Sequence, residues 1–392
     1  MKVRGSIQNR RIKMKWPVRN LLNPVSTRTL LFGTDPFDTE YVLQKIDAID
    51  KMSGKIIKDV WFREWELKAT KYIEFAEKSE AKSNIISAEK YYMLAAQCYY
   101  ASYMINTDDI AQKEMVYKKL ALYYKKSVEL RKNKVEYIEI ETENGKLPGY
   151  IHFPDNGKSE EKYPCVVTYS GIGSCKEELD MLALPLVERG VAVLTVDMPG
   201  TGASLFDYNK KCIGNQLDAA IDSIFSYLSR REDIDYSRIA NFGLCMGGGY
   251  AFRASAKMKN TKCCVSLFPL FINICEVDSV PIWMKRGKWA SFQHGYEDNN
   301  LNDFFSKMKI LTEGTIDCDF FLIHSADDNW MTTEASLSLL DKANGYKESL
   351  EIKDKPAYVS EETIMHAMPV GEQFHWVKHI AADFIAERLL NR

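Results

Sequence analysis

The sequence predicts an α/β chain, a mostly parallel sheet with helices on both faces, preceded by an all-helical domain. Two observations carry this. Residues 36–131 repeat apolar positions at three- and four-residue steps, and from about residue 135 short strand-like runs alternate with helical ones. A third, a glycine-flanked cysteine at 243–249, sits where a strand should hand over to a helix.

The helical half comes first. Ile57, Trp61, Trp65, Ala69, Tyr72 and Ala76 form one stripe, and Ile85, Ala88, Tyr92, Ala95, Tyr99 and Tyr103 a second. Val116, Leu120, Tyr123 and Ser127 mark a third, so antiparallel helix pairs are expected. Strands follow at 135–141, 149–153, 165–169, 191–196, 238–243, 263–268 and 320–324, with a last one at 349–352 or 357–364. Helices are expected at 177–189, 215–230, 248–258, 333–341 and 372–390. Asn144-Gly145-Lys146 suits a hairpin, so the sheet should open antiparallel and then turn parallel. The domains read as a basic arm at 1–35, a helical cap at 36–131 and a catalytic domain at 132–392. Residues 280–315, aromatic but without period, read as a lid insertion.

Composition excludes several classes. The net charge of −2 gives no basic field for nucleic acid or an anionic membrane. No apolar run approaches the ~18 residues of a membrane span. The basic N-terminus is followed by no apolar run, which argues against a signal peptide. Nine cysteines with no C-x-x-C spacing argue against zinc and a disulfide framework, and fit a reducing cytoplasm. No P-loop ending is present, and Gly171-Ile172-Gly173-Ser174-Cys175-Lys176 lacks the last glycine of a dinucleotide fingerprint. No cofactor and no metal are expected.

The most specific motif is Gly243-Leu244-Cys245-Met246-Gly247-Gly248-Gly249, the G-x-S-x-G nucleophile turn with Cys in place of Ser. A nucleophile on a sharp turn at a helix N-terminus is exposed to substrate and favoured as an anion. The N–H of Met246 then points at a developing oxyanion. The second donor should come from the glycine turn after the 165–169 strand, with Gly171 or Ile172 as candidates. Asp197, ahead of the nucleophile in the chain, reads as structural. After Cys245 an acid and then a base should follow. Asp328, in the loop after the 320–324 strand, is the candidate acid and Asp327 the alternative. His366 precedes the last helix, where the base belongs; His324 reads as structural, and His375 and His379 as helix-face residues. In this scheme His366 takes the Cys245 proton and the aspartate holds the imidazole.

The Gly243–Gly248 turn resembles that of the dienelactone hydrolases, α/β hydrolases with a Cys-Asp-His triad. The whole layout is similar to another α/β-hydrolase branch, in which a helical N-terminal domain precedes the hydrolase core. That branch holds dihydroxypseudooxynicotine hydrolase, the polyketide-shortening hydrolases and the fermentation–respiration switch esterases. The shared features are Trp61 to Tyr103, Gly171 to Glu178, Asp197 to Ser204 and the elbow. The resemblance implies hydrolysis of an ester or of a C–C bond beside a carbonyl. It carries the roles of nucleophile, acid and base onto Cys245, Asp328 and His366. That branch normally has Ser at the elbow, so Cys245 keeps thioesterase or acyltransferase chemistry open, with an acyl substrate free or bound to CoA or a carrier protein. A binding protein retaining the fold is the alternative from another class. The helical domain is also a candidate homodimer surface.

Overall fold

The computed structural model describes residues 28–47, 54–105, 109–155, 162–211, 216–272, 276, 305–328, 330–353 and 372–391. After a short helical segment at 28–32, the described residues form α1 Pro36–Asp47, α2 Gly54–Glu80, α3 Ile85–Ile105 and α4 Ile110–Glu129. The periodic stripes are their buried faces. Trp61, Trp65, Ala69 and Ala76 of α2 meet Ala88, Tyr92, Ala95 and Tyr99 of α3 with almost no exposure. Small residues on the facing stripes let the helices approach, and the indoles fill the space beside them. The Trp61 indole N–H is satisfied by the Ala101 carbonyl at 2.9 Å, so its burial leaves no polar atom stranded. Asp109 caps α4 by accepting from Gln112 N at 2.9 Å.

Among the described residues that follow, eight strands form one sheet in the order β1-β2-β4-β3-β5-β6-β7-β8. The strands are β1 Val135–Thr142, β2 Gly145–His152, β3 Tyr163–Tyr169, β4 Ala192–Val196, β5 Ile234–Leu244, β6 Thr261–Leu267, β7 Asp319–Ser325 and β8 Lys347–Ile352. Only the pairings made by β2 are antiparallel; β3 to β8 run parallel, as expected. Their near-continuous apolar runs follow from burial on both faces. The covering helices are α5 Asp180–Glu188, α6 Gly202–Phe206, α7 Gln216–Ser229, α8 Met246–Lys257, α9 Thr333–Leu337 and α10 Glu372–Leu390.

Several sequence expectations shift. The hairpin turn is Glu143-Asn144, and Gly145, at φ +101°, already pairs with Thr142 as the first residue of β2. The expected helix 177–189 opens as a 3-10 turn, Lys176–Leu179, before α5. The expected 333–341 helix is split into α9 and a 3-10 turn, Leu340–Lys342. Of the two candidates for the last strand, 349–352 falls in β8 and 357–364 lies outside the described residues. Most of the proposed lid, 280–304, also lies outside them. Its described end carries the 3-10 turn Lys307–Thr312, whose Leu311 packs on Gly249 of α8.

A polar seam joins cap to core. Tyr117 and Tyr124 of α4 reach Asp197 at 3.2 Å and Asp180 at 3.0 Å. Arg131 grips Asp180 with two N–H groups at 2.7 and 3.1 Å. Lys176, fully buried, donates to Glu177, Asp197 and Tyr117 at 2.7, 2.9 and 2.9 Å. Buried charges persist only when paired and hydrogen-bonded, and here each cation has its carboxylate.

Candidate active site

Cys245 stands between the end of β5 and the start of α8. Its backbone takes φ 60° and ψ −127°, a conformation a non-glycine residue rarely adopts, at a cost of about 1–3 kcal/mol. The surroundings hold it there. Cys245 N donates to Leu267 O at 2.9 Å, and its carbonyl accepts from Gly248 N at 2.8 Å and Leu270 N at 3.0 Å. Two glycines make the turn possible. A Cβ on Gly243 would fall 1.8 Å from the Gly247 carbonyl oxygen, and one on Gly247 would fall 2.1 Å from the Tyr169 carbonyl oxygen. The spacing of two before and two after is thus a steric requirement of β3, β5 and α8 converging on one point.

The Gly171 turn meets the elbow. A Cβ on Gly171 would stand 3.0 Å from Cys245 Cβ and 3.3 Å from its Sγ. Gly173 takes φ +73°, and Ser174 N donates to Gly171 O at 3.3 Å, closing the turn. Ile172 is buried, with its carbonyl accepting from Arg28. Met246 opens α8 and is buried. A methyl on Gly171 would lie in van der Waals range of the thiol, so this oxyanion candidate stands beside Cys245.

The acid candidates lie in the loop after β7, both half-buried. Asp328 Oδ1 accepts from Trp330 N at 2.8 Å and Met331 N at 3.0 Å. Those two amides fix the orientation of the carboxylate. Asp327 instead donates its backbone N–H to Ser325 Oγ at 3.2 Å. His366 lies outside the described residues, so its distances to Cys245 and the aspartates are not defined. His324 is buried at the end of β7, where burial lowers its pKa against the pull of Glu351. His375 and His379 sit on α10, the latter 3.4 Å from Arg189.

Asp197 is an organiser. Its carboxylate accepts from Lys176 N at 2.7 Å, Ala203 N at 2.9 Å and Lys176 Nζ at 2.9 Å. Gly202, at φ +42°, is needed because a Cβ there would fall 2.3 Å from both carboxylate oxygens. Lys176 and Glu177, adjacent to the glycine turn, belong to the same cluster. The seven described cysteines, Cys245 at 5% exposure among them, are buried and unbridged, and burial pushes the Cys165 thiol up to about 12. Sequence reasoning missed Arg28. It was assigned to the basic arm, yet residues 28–32 are helical and its guanidinium bonds Glu178 and Ile172 beside the elbow.

With this geometry in place, known proteins give a consistent picture. Residues 34–281 match the family model described as esterase FrsA-like. The chain is 26% identical over 282 residues to 2,6-dihydropseudooxynicotine hydrolase of Paenarthrobacter nicotinovorans, over 72% of this chain and 73% of that one. It is 30% identical over 221 residues to the alpha/beta hydrolase xenA of Xenoacremonium sinensis. That match covers 54% of this chain and 51% of the relative, about half its length. The solved structure of 2,6-dihydroxy-pseudo-oxynicotine hydrolase has a TM-score of 0.75 to this chain, with 93% and 96% of the two chains covered. At 20% identity this is a likeness of fold.

Proposed function

This chain belongs to the FrsA-like esterase family of α/β hydrolases, and from that premise we propose that it is a Cys-dependent acyl-transfer hydrolase. The observation that carries the reading is the strained Cys245, held at a helix N-terminus against the Gly171 turn. The thiol is 5% exposed, and the positive φ sets it beside the Gly171 turn in the layout of a nucleophile elbow.

The steps balance as follows. His366 takes the Cys245 proton, and the thiolate attacks the substrate carbonyl. The oxyanion is received by the N–H of Met246 and one from the Gly171–Ile172 turn. As the C–O, C–S or C–C bond breaks, the His366 imidazolium returns its proton to the leaving group, and an acyl-Cys245 thioester remains. Water, deprotonated by His366, then releases the carboxylic acid and restores the thiol. Asp328 holds the imidazole tautomer throughout. An amine, alcohol or thiol in place of water would make the same cycle a transfer reaction. The substrate class is a medium-sized acyl compound, and the relative named 2,6-dihydropseudooxynicotine hydrolase supports hydrolysis of a small molecule.

Turnover of an activated ester and of a pantetheine thioester tests this. Wild type should hydrolyse at least one, with Cys245→Ala and His366→Gln reduced to background. Undiminished turnover by Cys245→Ala would overturn the proposal. A product ratio that shifts toward amide when an amine is added would favour transfer.

A further inference from the structure

Arg28 is spent on two partners. Nε and Nη2 donate to the two Glu178 carboxylate oxygens at 2.7 and 2.9 Å, the bidentate fork that fixes both groups in one plane. Nη1 donates to the Ile172 carbonyl at 3.2 Å. The Glu178 side chain is 1% exposed and that of Arg28 16%, so water screens the pair poorly. The third neighbour is the elbow. A methyl on Gly171 would stand 3.3 Å from the Cys245 sulfur and 3.4 Å from Arg28 Nη2, so both flank the same glycine.

We propose that Arg28 is a positioning residue of the active centre: it pins the Gly171–Ile172 turn against Cys245 and sets a cation beside the sulfur. This deepens, and rests on, the reading of Cys245 as nucleophile. The Ile172 carbonyl, tied to Arg28, is kept from swinging toward the elbow, where its negative end would repel a developing oxyanion. The cation favours thiolate over thiol. Burial opposes the charge on Arg28, while Glu178, Tyr100 and the Cys245 charge favour it and hold its pKa well above the ordinary range.

The two partners make opposite predictions, which separates an electrostatic role from a merely structural one. Removing Arg28 leaves the buried Glu178 charge alone near the thiol, which disfavours thiolate. Removing the Glu178 charge leaves the guanidinium uncompensated, which favours it. The experiment is the pH dependence of iodoacetamide alkylation at the Cys245 peptide, read by mass spectrometry in the full chain. It is run for wild type, Arg28→Ala, Arg28→Lys and Glu178→Gln, with ester turnover alongside. At pH 7, Arg28→Ala should alkylate about tenfold more slowly and Glu178→Gln faster than wild type. Arg28→Lys should keep the alkylation profile and lose turnover, because it carries the charge without the fork. Rates that fall together in Arg28→Ala and Glu178→Gln, or that do not move, overturn the proposal. If Arg28→Ala fails to fold, a Glu178→Gln rate at or below wild type overturns it alone. A wild-type Cys245 no more reactive than Cys98 removes the nucleophile reading itself, and this inference with it.

Discussion

Gly243→Ala puts a defined load on the elbow. The added Cβ would stand 1.8 Å from the Gly247 carbonyl oxygen, 2.2 Å from its carbon and 2.7 Å from Gly248 N, where ordinary contact begins at 3.4 Å. All three are backbone atoms, so no side chain can rotate away. About 1.6 Å must be found by separating the end of β5 from the first turn of α8. Neither moves freely, since the Cys245 backbone is bonded to Leu267, Gly248 and Leu270. Overpacking of this kind costs about 1–3 kcal/mol. A nucleophile displaced by about 1 Å loses on the order of 100-fold in kcat. Steady-state hydrolysis of an activated ester and the urea denaturation midpoint read the two effects. Gly249→Ala is the control on the same helix. Its methyl would meet Leu311 Cδ1 at 2.9 Å, which can rotate away, and Leu311 Cβ at 3.0 Å, a far milder overlap than at Gly243, so most activity should survive. Full activity and an unmoved midpoint in Gly243→Ala would refute the assignment of this turn as the reacting one.

Three further outcomes are expected. Asp328→Asn should lower kcat/KM by about 10²–10⁴-fold while Asp327→Asn stays near wild type; the reverse order would exchange their roles. Lys176→Met should strand the buried carboxylates of Asp197 and Glu177 and cost about 3–5 kcal/mol in denaturant unfolding. A loss below about 1 kcal/mol would mean that the cluster is not coupled to the fold. Burial lowers the His152 pKa to about 4, with Asp180 opposing and Arg131 adding to the shift. The unfolded chain therefore binds more protons below its ordinary value of about 6.5. Stability should fall as pH drops from there to about 4 and His152→Phe should flatten that slope; an unchanged slope would place the titration elsewhere.

The sheet was legible because parallel strands buried on both faces must be apolar runs, and β3, β4 and β6 are. Its margins were not. β2 was read as starting at Gly149, but it begins at Gly145 and includes Pro148, whose carbonyl accepts from Asp197 N. β5 begins at Ile234, four residues before the reading, because Ile234 already pairs with Tyr163 of β3 ahead of a register shift. The elbow was legible because sterics fix its glycines. Lys176 and Glu177 read equally as fixing the glycine loop or as a solvated helix start, because only the folded chain brings Asp197 and Tyr117 to them. Arg28 was invisible for the same reason, one basic residue among many in the N-terminal arm.

Trapping the acyl-enzyme tests the central claim most directly. The full chain is mixed with an activated ester, quenched in acid within the first turnovers, and its intact mass and peptides measured. The expected result is one acyl group on the peptide holding Cys245, removed by neutral hydroxylamine as a thioester is, and absent from Cys245→Ala. Steady product release with no adduct on that peptide, or an adduct on another residue that survives Cys245→Ala, would contradict the account.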